Sequence, residues 1–170
     1  VHGLAAAYEK LGGVIAENCR ITGAEENETI QVETSQGFFS GKALIYATHI
    51  PPTVNLLHLR CAPYRSYAMA VTLKNNNYPE SLAYDMKDPY NYYRSQAVNG
   101  QTFVIGGGFD HKTGHEQNTE HCFLQLEAHL RKIFDVAEVH YKWSSQYFEP
   151  ADGIPYIGSL PGHSGKIYTA

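Results

Sequence analysis

Several groups of residues in this chain have the types and spacing to do chemistry. Asp110, His111, His115, His121 and Cys122 fall close together. Carboxylate, imidazole and thiolate are all zinc ligands, and a bound metal could activate water for hydrolysis. Gly114 interrupts the stretch, however, so His111 and His115 are not expected to share one helical face. The chain has 9 histidines, and some clustering follows from that number alone. A second group is Tyr90-Asn91-Tyr92-Tyr93-Arg94. A guanidinium grips a carboxylate through two parallel hydrogen bonds, and tyrosines can wall an organic ligand. Arg65, beside Tyr64 and Tyr67, is a weaker version of the same pattern. The alternative is a Tyr-rich strand pair with Arg94 in a surface ion pair of little energetic weight, and the residues alone favour it.

Two glycine-rich stretches complete the set. Gly106-Gly107-Gly108 follows a β-prone run and invites a dinucleotide reading. The G-x-G-x-x-G fingerprint fails because position 111 is His, and no helix is expected at the third glycine. Without a helix N-terminus there is no focused positive field for a pyrophosphate. The run is therefore expected to end a strand. The segment Glu149 to Gly158 holds two prolines and two glycines. They fix a particular backbone path, either a structural turn or a loop presenting amides to a flat ring or an anion.

These residues have to be positioned by regular elements. Leu4, Tyr8 and Leu11 recur at helical spacing around three alanines, and Gly12-Gly13 stops the helix. Short strands are expected at Val14–Ala16, Arg20–Ala24, Ile30–Thr34 and Phe38–Ser40, with a turn at Ser35-Gln36-Gly37. The apolar run Lys42–Ala47 reads as a strand buried on both faces. A second region begins near Leu56. Strands are expected at Tyr64–Leu73, Leu82–Asp85, Tyr92–Ser95 and Thr102–Ile105, with an Asn99-Gly100 hairpin. A helix spans Thr119–Phe134, with Cys122, Leu126 and Leu130 on its inner face and Asn118 or Thr119 as cap. Val136–Trp143 is the last strand. Many strands and two helices make this an α+β chain with a largely antiparallel sheet, one flanking helix, and a separate helix and β-meander at the start.

Composition excludes some functions. Of 170 residues, 43% are hydrophobic and 18% charged, so the chain is neither disordered nor fibrous. The net charge of -4 and the lack of a dense basic patch argue against nucleic acid as a partner. Apolar runs stay far below the roughly twenty residues of a spanning helix. Three cysteines with no Cys-x-x-Cys pair fit a reducing compartment, the cytoplasm. The 13 tyrosines suit half-buried sheet faces or an aromatic-lined pocket. The chain opens inside a helix without a Met and stops in a β-prone segment, which is expected of an internal fragment.

In order and spacing, four segments resemble the FAD-dependent oxidoreductases of the D-amino-acid oxidase/glycine oxidase family, closest to bacterial members with a C-terminal Rieske domain. They are Leu11-Gly12-Gly13 with Ile15 to Ile21; Gly41 to His49, ending Ala47-Thr48-His49; Phe103-Val104-Ile105-Gly106-Gly107-Gly108; and Trp143-Ser144 with Asp152-Gly153-Ile154-Pro155-Tyr156-Ile157-Gly158. The resemblance implies three parts: 1–52, part of an FAD-binding domain; 53–145, a substrate-binding domain; 146–170, a return to the FAD-binding domain. It implies cofactor contacts at Ile21, Ala47, Thr48, His49, Pro155 and Gly158. It implies a substrate carboxylate held by Arg94 with Tyr93, or by Arg65, and it names no catalytic base and no metal ligand. The implied activity is oxidation of a C–N bond of an amine or amino acid by hydride transfer to flavin. A Rieske domain in the same parent chain is implied as a further part. The strand–glycine–helix that holds the pyrophosphate is not in these residues, so FAD is expected in the full-length protein and not in this fragment. A non-enzymatic binding module and a zinc-dependent hydrolase remain the alternatives.

Overall fold

The computed structural model describes residues 1–52 and 57–170. The expected start of the second region, Leu56, lies outside the described residues. The chain divides into two compact units: Val1–Pro51 with Tyr156–Ala170, and Pro52–Pro155.

The first unit opens with α1 (His2–Lys10) and a meander of β1 (Ile21–Glu26), β2 (Ile30–Thr34) and β3 (Gly37–Gly41). Ile30 is buried at one end of β2, which pairs antiparallel with both neighbours. A second small sheet has the order β10 (Gly158–Ser159), β11 (Ile167–Thr169), β4 (Leu44–Tyr46), with β4 and β11 parallel. Glu26 ties the hairpin to the loop before β11. Its carboxylate accepts from the Ser164 amide and hydroxyl, and His163 Nδ1 lies 3.1 Å from it. Two expectations fail in this unit. Val14–Ala16 forms no strand. The run through Ala47 is not buried on both faces: Ile45 is 63% exposed, and Leu44 and Tyr46 on the opposite face are half-buried.

The second unit is a five-stranded antiparallel sheet backed by one helix. Its order is β6 (Ala83–Tyr84), β7 (Tyr92–Val98), β8 (Gln101–Lys112), β5 (Cys61–Leu73), β9 (Val136–Pro150). A short helix the sequence did not suggest, α2 (Leu57–Arg60), leads into β5. The long helix α3 (Thr119–Ile133) starts where the Asn118 side chain accepts from the His121 amide at 3.2 Å. It buries Cys122, Leu126 and Leu130 against one face of the sheet, where Tyr67, Met69, Val71, Tyr93 and Val104 meet them.

The glycine run does not end a strand, as the sequence had suggested. Gly106, Gly107 and Gly108 lie inside β8 because neighbours occupy the space of their missing side chains. A Cβ on Gly106 would run into Leu130 of α3, and one on Gly107 into the ring of Tyr92. Gly106→Ala is therefore expected to lower stability by about 1–3 kcal/mol through overpacking. Gly3→Ala, where a Cβ meets nothing within 4 Å, should be neutral or slightly stabilising. Urea unfolding of the two variants against the parent chain checks this.

Candidate functional site

Neighbouring residues of a strand point to opposite faces of the sheet. In β5 the large residues Tyr67, Met69 and Val71 face α3, which leaves Tyr64, Ser66, Ala68 and Ala70 on the face without a helix. Register places Gly107 and Tyr92 on one side of Ala68 and Trp143 on the other. The next row holds Arg94, Ile105, Ala70 and Tyr141. Small residues form the floor and aromatic ones lie across it. Ala68 and Ala70 are 5% and 3% exposed although no helix covers them.

At one end of this face β8 bulges. Arg65 pairs with His111 but Tyr67 with Gly108, so β8 carries an extra residue there, and Phe109 takes a φ of 57°. Phe109 packs edge-on against His129 of α3. Asp110 is thereby turned to the helix-free face, where its Oδ2 accepts from the Tyr147 hydroxyl at 2.9 Å. Tyr147 stacks on Tyr64 with ring centroids 5.8 Å apart. Burial pushes the Tyr147 phenol well above its ordinary range, and the bond to Asp110 adds to this, with smaller contributions from Glu149 and Tyr90. Among the described residues, Asp110 Oδ1, Ser66 Oγ and Thr113 Oγ1 are buried with no hydrogen-bond partner. Such orphaned groups mark polar sites that a water or ligand can complete.

The candidate residues separate by face. Arg94 projects from the helix-free side and is exposed, and its guanidinium meets Gln96 Oε1 at 3.5 Å. Tyr93 does not join it. That side chain is 7% exposed beneath α3, and its hydroxyl lies 2.5 Å from His129 Nε2. Arg65 shares the side of Tyr67 and donates to Ser144 Oγ at 2.7 Å. The expectation that Tyr93 and Arg94 act side by side is thus corrected by strand alternation.

His111 Nε2 lies 2.8 Å from the Tyr67 hydroxyl, and among the described residues no three His, Cys, Asp or Glu side chains gather as a metal site. Sequence reasoning missed Tyr147, Asp110 and Ser66 as a group. The bulge that joins them leaves no local signal beyond the Gly-Phe-Asp segment.

In the first unit, Ile21 opens β1 and is 47% exposed. Ala47, Thr48 and His49 follow β4 and are exposed. Thr48 Oγ1 donates to the Ile50 carbonyl at 2.8 Å, and His49 has a φ of 64°. Gly158 opens β10 opposite Thr169. In the second unit, Pro155 lies exposed in the loop after β9. Among the described residues no glycine-rich turn opens a helix to hold a pyrophosphate.

The chain belongs to the FAD dependent oxidoreductase (DAO) family, whose sequence pattern matches residues 1–170. It is 26% identical over 162 residues to YhfW of Bacillus subtilis (strain 168), a protein named for a Rieske 2Fe-2S iron-sulfur centre. That alignment covers 94% of this chain and 32% of the relative. Among solved structures its fold is similar to glycine oxidase from Geobacillus kaustophilus (TM-score 0.68, 16% identity, 99% of this chain and 46% of that one). It is also similar to NikD, an amino acid oxidase of nikkomycin biosynthesis (TM-score 0.69, 15% identity, 99% and 49%). The chain thus spans about a third of the curated relative and about half of each solved one. None of its helices among the described residues is long and apolar enough to cross a membrane.

The buried phenols set an alkaline limit. Burial pushes Tyr67 up to about 12, with Cys122 beside it adding to the shift, and Tyr93 and Tyr147 are raised as well. The folded chain holds these protons above the unfolded tyrosine value of ~10. Their stabilisation is therefore complete below pH ~10 and is lost as the pH climbs through the folded values. Urea midpoints measured from pH 8 upward should fall beyond pH ~10. Tyr67→Phe and Tyr147→Phe should each flatten that slope.

Proposed function

We propose that the full-length protein is an FAD-dependent oxidoreductase that oxidises a C–N bond of an amine or amino acid. This chain supplies its substrate-binding sheet and part of its FAD-binding domain. Family membership over residues 1–170 supports the cofactor. The observation that carries the substrate assignment is Arg94, exposed on the helix-free face and hydrogen-bonded only to Gln96 among the described residues.

Arg94 binds the substrate carboxylate, and Tyr92 lies beside it on the same face. Tyr93 acts from behind: its hydroxyl contact with His129 fixes the strand that presents Arg94. Arg65, held by Ser144 on the α3 side of the sheet, does not join Arg94 on the open face. Ile21, Ala47, Thr48, His49, Pro155 and Gly158 flank the cofactor. When bound, FAD supplies the hydride acceptor. No protein base is assigned, because an amine that arrives neutral needs none. Val1–Pro51 with Tyr156–Ala170 serves the FAD-binding domain and Pro52–Pro155 the substrate domain; the boundary expected after residue 145 moves to Pro155 because β9 stays in the sheet as far as Pro150. The likeness to a Rieske-named protein supports a Rieske domain in the same parent chain. Three free cysteines support a reducing, cytoplasmic setting.

The full-length protein should be isolated with bound flavin that bleaches anaerobically on addition of an amino acid or amine. A preparation with no flavin and no affinity for FAD overturns the reading. Arg94→Ala should raise KM for a carboxylate substrate on the order of 10- to 100-fold, with a smaller change in kcat. An unchanged KM removes Arg94 from the role.

A further inference from the structure

Beside the sheet face lies a cleft that none of the comparisons assigns. It has a volume of about 600 Å³ and is walled by Leu82, Tyr84, Met86, Tyr90 and Tyr92. We propose that this cleft is a subsite for an aromatic or comparably large uncharged apolar group, which makes the substrate a carboxylate-bearing amine with a bulky side chain. The proposal rests on the reading of this sheet as the substrate-binding sheet and narrows the substrate class.

The cleft is built before any ligand arrives. Its loop, between β6 and β7, is closed by Asp85 and Asn91. The Asp85 amide donates to the Asn91 carbonyl at 2.9 Å. The Asn91 amide donates to Asp85 Oδ1 at 2.9 Å, and Asn91 Nδ2 to Oδ2 at 2.8 Å. Asn91 is 5% exposed and packs on Gly108, where a Cβ would strike its side chain. The tyrosines rest on one another, Tyr84 edge-on against Tyr90 and Tyr90 tilted against Tyr92. Tyr84 and Tyr90 have centroids 5.9 Å apart, and Tyr90 and Tyr92 6.3 Å. A pre-shaped aromatic wall loses little entropy when it binds.

Charge decides between an aromatic ring and a quaternary ammonium, the other ligand that tyrosine walls favour. Asp85 is the acid on the lining, and its two oxygens already accept from Asn91. Lys87, also on the lining, sits 3.9 Å from Asp85 Oδ2 with its side chain 67% exposed. An incoming cation would meet that ammonium and find no free carboxylate. An uncharged apolar group meets neither cost.

Position fits the same substrate. Tyr92 belongs both to the cleft and to the sheet face, where its ring covers Gly107. Arg94 stands two residues further along β7, about 7 Å away at the rise of an extended strand. That matches the reach from the carboxylate of an amino acid to an aromatic group on its side chain. A glycine-sized substrate would leave the cleft unused.

Binding to this chain tests the idea without flavin. Propionate, 3-phenylpropionate, benzyl alcohol and tetramethylammonium are titrated while the tyrosine ring resonances are followed by NMR. The phenyl acid should bind about tenfold or more tighter than propionate, as even partial burial of a ring implies. Benzyl alcohol should shift the same rings. Tyr84→Ala and Met86→Ala, at residues 63% and 94% exposed, should remove the advantage while folding is retained. Equal affinity for the two acids, or tighter binding of tetramethylammonium than of the phenyl acid, overturns the proposal. Arg94→Ala separates it from the underlying reading. Loss of affinity for both acids with the phenyl advantage preserved supports both. No effect of Arg94→Ala, with benzyl alcohol binding still dependent on Tyr84, supports the cleft and removes the arginine.

Discussion

β5 is hydrogen-bonded along both edges and has to satisfy two unlike faces. It does so by alternating size: Tyr67, Met69 and Val71 on one side, Ala68 and Ala70 on the other. The large side meets Leu126 and Leu130, each fully buried. Side chains of that size contribute roughly 1.5–3 kcal/mol apiece when taken out of water, so the seam between β5 and α3 fixes the sheet. The small side follows from the same alternation. With alanine and glycine beneath them, Tyr92 and the aromatic residues of β9 lie across the sheet, and their polar tips and edges stay available. Core and site are two faces of one strand.

Much of this was legible in the residues. The spacing of Cys122, Leu126 and Leu130 reports the buried stripe of α3, and Asn118 caps it as its side-chain chemistry demands. The alternation of Ile30 to Thr34 reports β2. What failed depends on partners distant in sequence. Glycines 106–108 look like a strand break because the signal is local, whereas Leu130 and Tyr92, which make small residues necessary there, are remote. The apolar run through Ala47 looks doubly buried, yet burial depends on what packs over each face of its sheet, which the run itself does not carry. Tyr93 and Arg94 had to face opposite ways by strand geometry. Which of them would meet the helix could be decided only by α3, contributed from some thirty residues further along.

The bulge in β8 sits where polar demand is greatest. A bulge bends its strand and re-aims a side chain. Here it sends Phe109 to the core and Asp110 to the open face, where Tyr147 meets it across β5. The arrangement leaves the other Asp110 oxygen and the Ser66 hydroxyl without partners. Buried orphans of this kind destabilise a fold. They lie on the same face as Arg94 and the tyrosine-walled cleft, so the polar cost falls on the face proposed to bind substrate.

The discontinuity of the first unit bears on how the chain is made. Residues Pro52–Pro155 are contiguous, so the helix-backed sheet can finish as soon as it leaves the ribosome. Strand β4 cannot. Its hydrogen-bonded neighbour pairs Leu44 with Ile167, and until that segment is synthesised β4 has an unsatisfied edge. The helix-backed sheet can be assembled early, while the first unit waits for β11. During that interval the apolar strand Leu44–Tyr46 presents an open edge to any chaperone that meets the chain.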